Sequence, residues 1–181
     1  VNEAPLLILI GVAGAGKTTV GRILADRYGL QLIEADDLVG ETAGVPIGEL
    51  IIGADPRLED LRRRAARTAL ATPGAIVTLG ASQPSDEDTR DALERARLLG
   101  ARVVELYADT AEVARREGLN RPRSVGLGAP RAMLSHMIAQ LHELYGAVAD
   151  SSADTRGRTP VDVAIELARE CRLAGDSIQQ E

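Results

Sequence analysis

Aromatic side chains are almost missing from this chain of 181 residues, which holds three Tyr, no Phe and no Trp. That scarcity excludes the stacking platform on which proteins hold single-stranded nucleic acid. It also leaves the core to Leu, Ile, Val and Ala. A single cysteine, Cys171, excludes an intrachain disulfide and a cysteine zinc cluster, and reads as a small buried apolar residue. The two histidines, His136 and His142, stand six apart, which is not a zinc-helix spacing. The longest apolar run, Pro5 to Ile10 with its flanks, is far too short to span a bilayer. The first residues include Glu3 and no basic stretch, so they do not read as a secretory signal. A cytoplasmic protein with no membrane partner is expected.

Lysine is the scarcest cation. Of 21 Lys and Arg residues only Lys17 is lysine. With a net charge of −6 the chain lacks the basic balance of a nucleic-acid binder. A protein of this charge that binds an anion must use a local device, not its overall field. Hydrophobic residues make up 45% of the chain, enough for a sizeable core, and the length suits one domain. Residues 1–175 read as that domain and 176–181 as a frayed tail.

The pattern along the chain alternates strands and helices. Leu6 to Ile10 is a continuous apolar run, as in a strand buried on both faces. A Gly-rich turn over Gly11 to Gly16 follows, then a helix over Thr18 to Tyr28 with Gly29 as its C-cap. Leu32-Ile33 is a second strand ending at Glu34-Ala35-Asp36-Asp37. Residues 38–54 carry Gly40, Gly44, Pro46, Gly48 and Gly53 and read as short helical pieces without a regular element. Further strands are expected at Ala75–Leu79, Arg102–Leu106 and Ser151–Thr155. Helices are expected at Leu58–Ala71, Asp86–Leu99, Thr110–Arg116, Ala132–Val148 and from Pro160 to about Leu173, the last with Pro at its first turn. The alternation gives an α/β fold class with a central five-stranded parallel sheet and helices on both faces.

Gly11-Val12-Ala13-Gly14-Ala15-Gly16-Lys17-Thr18 matches G-x-x-x-x-G-K-[ST] in full, between a strand and a helix. The glycines let backbone N–H groups point at phosphate oxygens, and the helix N-terminus adds about half a positive charge. The sole lysine belongs on the β- and γ-phosphates, and the Thr18 hydroxyl on Mg²⁺. Gly11, Gly14, Ala15, Gly16, Lys17, Thr18 and Thr19 are thus the expected ATP-binding residues. Ligands of parallel sheets bind at the carboxyl ends of the strands. Glu34 can therefore hold a water on Mg²⁺, and Asp36 can orient, or take a proton from, an acceptor hydroxyl, with Asp37 as its alternative.

On these residues the chain resembles the shikimate kinases, of the nucleoside-monophosphate-kinase-like group. The P-loop with Val20-Gly21-Arg22 and Leu24-Ala25 carries the resemblance, as do Gly44 to Leu50, Leu144 to Asp150, and Asp154-Thr155 through Pro160. The family's paired-aspartate strand end falls on Glu34-Ala35-Asp36, its substrate-binding Phe-Arg on Leu61-Arg62, and its lid Arg-Pro on Arg121-Pro122. Motif and resemblance together make the expected class a P-loop NTPase three-layer sandwich with a small lid. The resemblance implies that Arg116, Arg158 and Pro160 hold the adenine and that Arg121, in a lid over about 118–130, clamps the γ-phosphate. It further implies an acceptor region over about 36–70, with Asp36, Arg62 and the turn Gly80-Ala81-Ser82 on the substrate. The departures lie in that acceptor half. Gly80-Ala81-Ser82 replaces Gly-Gly-Gly, Glu34 replaces the first Asp, and Leu141 stands where an Arg grips the substrate carboxylate. The acid that follows the family's Phe-Arg falls at about Ala65.

The run Arg62-Arg63-Arg64 cannot all face one ligand, since three adjacent residues span most of a helical turn. Only Arg62 is expected to reach a carboxylate. His142 reads as a surface helix histidine and the three Tyr as packing residues. The leading reading is a monomeric kinase that passes the ATP γ-phosphate, with Mg²⁺, to a hydroxyl of shikimate or a related small polyol acid. The alternatives are a kinase for another acceptor such as gluconate, or a non-catalytic nucleotide-binding regulatory protein.

Overall fold

The computed structural model describes residues 3–116 and 128–173. Five strands form one sheet: β1 (Leu7–Ile10), β2 (Leu32–Glu34), β3 (Ile76–Thr78), β4 (Arg102–Tyr107) and β5 (Ser151–Asp154). All neighbours run parallel, in the order β2-β3-β1-β4-β5. The register sets Ile8 against Val77 on one side and Val103 on the other, so every residue of β1 is fully buried. This is the continuous apolar pattern of a strand covered on both faces.

Eight helices cover the sheet among the described residues. They are α1 (Lys17–Tyr28), α2 (Ala35–Ala43), α3 (Ile47–Ile52), α4 (Leu58–Leu70), α5 (Glu87–Leu98), α6 (Thr110–Arg116), α7 (Gly128–Val148) and α8 (Pro160–Glu170). The chain moves one way from β1 to β2 and the other way from β2 through β3 to β4 and β5. Right-handed crossovers therefore put α1 on one face and α4, α5 and α7 on the other. α8 packs beside α1, while α4 packs on α5 and α5 on α7. Gly29 ends α1 in the left-handed conformation with φ 64°, its N–H bonded to Ala25 O, as a C-cap glycine should. Asp86 caps α5 through Thr89 N, and Thr159 caps α8 through Asp162 N just before Pro160.

Two stretches differ from the sequence reading. Residues 35–52 form two regular helices, α2 and α3, because Gly40 and Gly48 sit inside helical turns and only Gly44 breaks the run, with φ 74°. Val39 and Leu50 from these helices join Ala65 of α4 in a second small apolar cluster. α7 starts at Gly128, so the last three residues of the expected lid already belong to a helix. Arg121, Pro122 and the rest of the lid, like the tail over 176–181, lie outside the described residues. No helix among the described residues is long and apolar enough to cross a membrane.

Candidate active site

The P-loop joins the end of β1 to the start of α1. Gly11 has φ 149°, and a Cβ there would lie 2.5 Å from Leu106 O of the neighbouring strand, so only glycine fits. Gly14 and Gly16 also have positive φ, at 79° and 98°. Lys17, the first residue of α1, folds its ammonium back over the loop and donates to Gly11 O at 2.7 Å and Val12 O at 3.1 Å. Burial lowers its pKa to about 8, against the opposing charges of Asp36 and Glu34. Thr18 and Thr19 are exposed beside it.

Ala13, Gly14, Gly16, Lys17, Thr18 and Thr19 form one wall of a cavity of about 350 Å³. Glu34, Asp36, Asp37 and the β3 end, Thr78 to Gly80, form the other. Glu34 is the last residue of β2, as expected, but Asp36 sits in the first turn of α2 and not on the strand end. The helix begins directly at Ala35, which is wholly buried. Asp36 rests against Gly80, where a Cβ would fall 2.5 Å from Asp36 Oδ1. Burial raises the Asp36 carboxyl above the ordinary aspartate range, with Lys17 and Arg62 opposing and Asp37 adding to the rise. Burial likewise raises Glu34, and its Oε1 is buried with no hydrogen-bond partner.

A second hollow of about 290 Å³ meets the first at Gly16 and Thr19. Its lining also includes Arg115, Arg116, Thr155, Arg158, Pro160 and Val163. The three residues expected at the adenine, Arg116, Arg158 and Pro160, thus come together from α6, the loop after β5 and α8. Arg116 also braces the P-loop: it donates to Gly14 O at 3.1 Å, Ala15 O at 3.2 Å and Thr155 O at 2.8 Å, and pairs with Glu112. Thr155, buried and bonded to Tyr107 O, is part of this brace and lies in the Asp154-Thr155 to Pro160 stretch that carried the resemblance.

The acceptor side is less open. Arg62 is paired with the exposed Glu59 at 2.9 Å, but its charge reaches Asp36. Arg63 pairs with Asp86 and Asp88, and Arg64 with Asp60, so these two are structural or surface groups. Beyond Gly80, Ala81 is half-buried and Ser82 exposed, and neither lines the phosphate cavity. Leu141 is half-buried and packed on the main core. Tyr145 is more than a packing residue, because its buried hydroxyl donates to Ala81 O at 2.7 Å. His142 is not an isolated surface histidine: its Nδ1 lies 2.7 Å from Oε1 of Glu105, a β4 carboxylate only 3% exposed. A buried carboxylate needs such a partner, and the polar residue inside the apolar β4 run was the signal for it. Cys171 is half-buried, with its thiol pushed up to about 11 by burial, and is inert at neutral pH. A larger hollow of about 730 Å³ lies between α4 and α5, lined at its end by Ala71 and Leu99. Those residues follow the helix C-termini, at the amino ends of the strands, opposite to where ligands of parallel sheets bind.

The sequence model of the shikimate kinase family matches residues 13–172. A shikimate kinase of Salinispora tropica is 38% identical over 166 residues, 91% of this chain and 96% of that protein. One of Thermobifida fusca is 36% identical over 176 residues, covering 97% and 99%. The chain belongs to the shikimate kinase family. It is therefore an ATP-dependent phosphotransferase with an alcohol group as acceptor. The solved structures agree in fold. A shikimate kinase from Acinetobacter baumannii, in complex with shikimate, superposes with a TM-score of 0.77 at 22% identity over 92% of each chain. A gluconokinase from Sinorhizobium meliloti reaches 0.54, also at 22% identity, over 92% of this chain and 93% of its own.

Proposed function

We propose that this kinase transfers the γ-phosphate of ATP to a hydroxyl of shikimate or a closely related small polyol acid, and that it works as a cytoplasmic monomer. The observation that carries the reading is the placement of the Asp36 carboxylate on Gly80, in the same cavity as Lys17 and Thr18. Donor and acceptor groups thus face each other across a space of small-molecule size.

In this reading the P-loop amides and Lys17 hold the β- and γ-phosphates, and the adenine lies in the hollow of Arg116, Arg158 and Pro160. Lys17 leaves the carbonyls of Gly11 and Val12 and follows the phosphate charge. Asp36 takes the proton of the acceptor hydroxyl as its oxygen bonds to the γ-phosphorus and the bond to the ADP oxygen breaks. Its raised pKa brings it nearer the working pH, where a general base is most effective. Arg62 can exchange its exposed Glu59, a pairing worth little in water, for an acceptor carboxylate. Arg121, named from the sequence, is assigned to the transferring phosphoryl group.

Mg²⁺ fits the donor set. The Thr18 hydroxyl and, through water, the unpartnered Glu34 Oε1 would hold it. Its chemistry there is to offset charge on the phosphate oxygens.

The test is acceptor-dependent ADP release with shikimate, quinate, gluconate and neutral polyols at saturating ATP. Release stimulated by a hydroxy acid is expected. ATP binding without release for any acceptor would overturn the reading in favour of a regulatory protein.

A further inference from the structure

Gln83 lies just past the Gly80-Ala81-Ser82 turn, at the start of a short 3₁₀ helix, Gln83–Ser85. It is only 2% exposed, although Gln is rarely buried so fully. Its amide is fully engaged at both ends. Oε1 accepts from Gly80 N at 2.6 Å, and Nε2 donates to the backbone oxygen of Arg62 at 3.0 Å, across 21 residues of sequence. Its own N–H donates to Gly80 O at 3.0 Å. One side chain therefore ties the turn after β3 to the α4 residue that carries the acceptor-facing guanidinium.

Three further contacts make the tie consequential. Gly80 is the floor on which Asp36 rests. Tyr145 of α7 holds the next residue of the turn through Ala81 O. Pro84, buried, fixes the chain just after Gln83. The turn is thus pinned to α4 at one residue and to α7 at the next. Gly80 N–H and Ala81 C=O are both taken, and the exposed Ser82 is left facing solvent.

We infer that Gln83 is a positioning residue for acceptor choice: it sets the distance between Arg62 and the Gly80 turn, and so the length of acceptor that can bridge Arg62 and Asp36. This rests on the phosphoryl-transfer reading above and adds to it what fixes the acceptor pocket. Gln83 lines neither the phosphate cavity nor the second hollow, so its loss is expected to spare nucleotide binding.

The experiment compares wild type, Gln83→Met and Gln83→Glu in steady-state phosphorylation of shikimate, quinate and gluconate, with KM for each acceptor and for ATP. Met keeps the volume and loses both hydrogen bonds. Glu keeps the acceptor toward Gly80 N–H and loses the donor toward Arg62 O. The expected result is a rise of roughly tenfold or more in acceptor KM for Gln83→Met, because both ties between the turn and Arg62 are lost and the acceptor-binding groups are displaced. Gln83→Glu sets a buried carboxylate oxygen against Arg62 O and should raise acceptor KM at least as much, ATP KM should stay within about twofold in both, and the ratio between acceptors should change. If one variant does not fold, the same split between acceptor and ATP constants is read from the other. An active wild type whose variants keep the wild-type acceptor KM, or raise acceptor and ATP KM together, overturns this inference alone. A wild type that phosphorylates none of the acceptors overturns the functional reading and this with it.

Discussion

Lys17 Nζ lies 2.7 Å from the carbonyl oxygen of Gly11, the first residue of the loop it serves. Without phosphate, the ammonium is held by its own loop, in a place where burial lowers its pKa to about 8. Below that pH the lysine is charged in folded and unfolded chain alike. Between about 8 and the ordinary 10.5 the unfolded chain holds a proton that the folded one has released, so this residue favours folding more as pH rises. ATP demands the charged form. Its affinity should therefore be flat below pH 8 and fall above it, with uptake of up to about one proton per nucleotide. Calorimetry at pH 7 and 9, in two buffers of different ionisation enthalpy, measures that uptake. Lys17→Met should abolish phosphoryl transfer and the proton uptake together.

Asp36→Asn should leave ATP affinity nearly unchanged and lower turnover by about 10²–10⁴-fold, the usual contribution of a general base. The raised pKa of Asp36 places the acid limb of the wild-type rate above the ordinary aspartate range. Activity is lost as pH falls through that limb, because the protonated carboxyl cannot accept the hydroxyl proton. The residual rate of the Asp36→Asn variant should show a pH profile without the limb. An equal loss of ATP affinity and turnover would move Asp36 to a structural role.

Gly80→Ala tests the contact beneath Asp36. The added methyl would fall 2.5 Å from Asp36 Oδ1 and 3.1 Å from its Cγ, so the carboxylate must move. Gly80 is absent from the glycines with positive φ, so backbone strain does not confuse the result. A displacement of about 1 Å at a reacting group costs up to about 10²-fold in rate. Turnover should fall by roughly 10–100-fold, with the nucleotide dissociation constant and Tm little altered.

The sheet and the Gly-rich loop were legible in the sequence for a common reason: both are local. Leu7 to Ile10 announces a doubly covered strand by its unbroken apolar run, and Gly11 to Thr18 sets loop and helix start in eight consecutive residues. α2 and α3 were obscured because Gly40 and Gly48 look like breakers, and only the packing of Val39 and Leu50 on Ala65 decides for helix. The long-range polar contacts were not legible. Gln83 to Arg62, Tyr145 to Ala81 and His142 to Glu105 join residues 21, 64 and 37 positions apart, by single polar contacts that no periodicity encodes.

Leu141 stands where the family resemblance puts a carboxylate-gripping Arg, and here it is half-buried against the core. Removing one partner of a desolvated charge pair costs roughly 2–5 kcal/mol. Arg62, whose charge reaches Asp36 beside that of Lys17, is the cation proposed for the acceptor, and one guanidinium cannot supply both grips. Ala81 adds a Cβ to the turn as well. The shikimate KM should therefore be at least about 30-fold above that of the Salinispora tropica relative assayed beside it, the lower end of that energy at about 1.4 kcal/mol per decade. Leu141→Arg should recover part of the difference, because an arginine stem can keep the apolar packing while its head reaches the polar side. Acceptors with no carboxylate should be indifferent to that substitution. A shikimate KM equal to the relative's, with fast turnover, would show that another cation supplies the grip, and Arg131 and His142 are then the two residues to mutate.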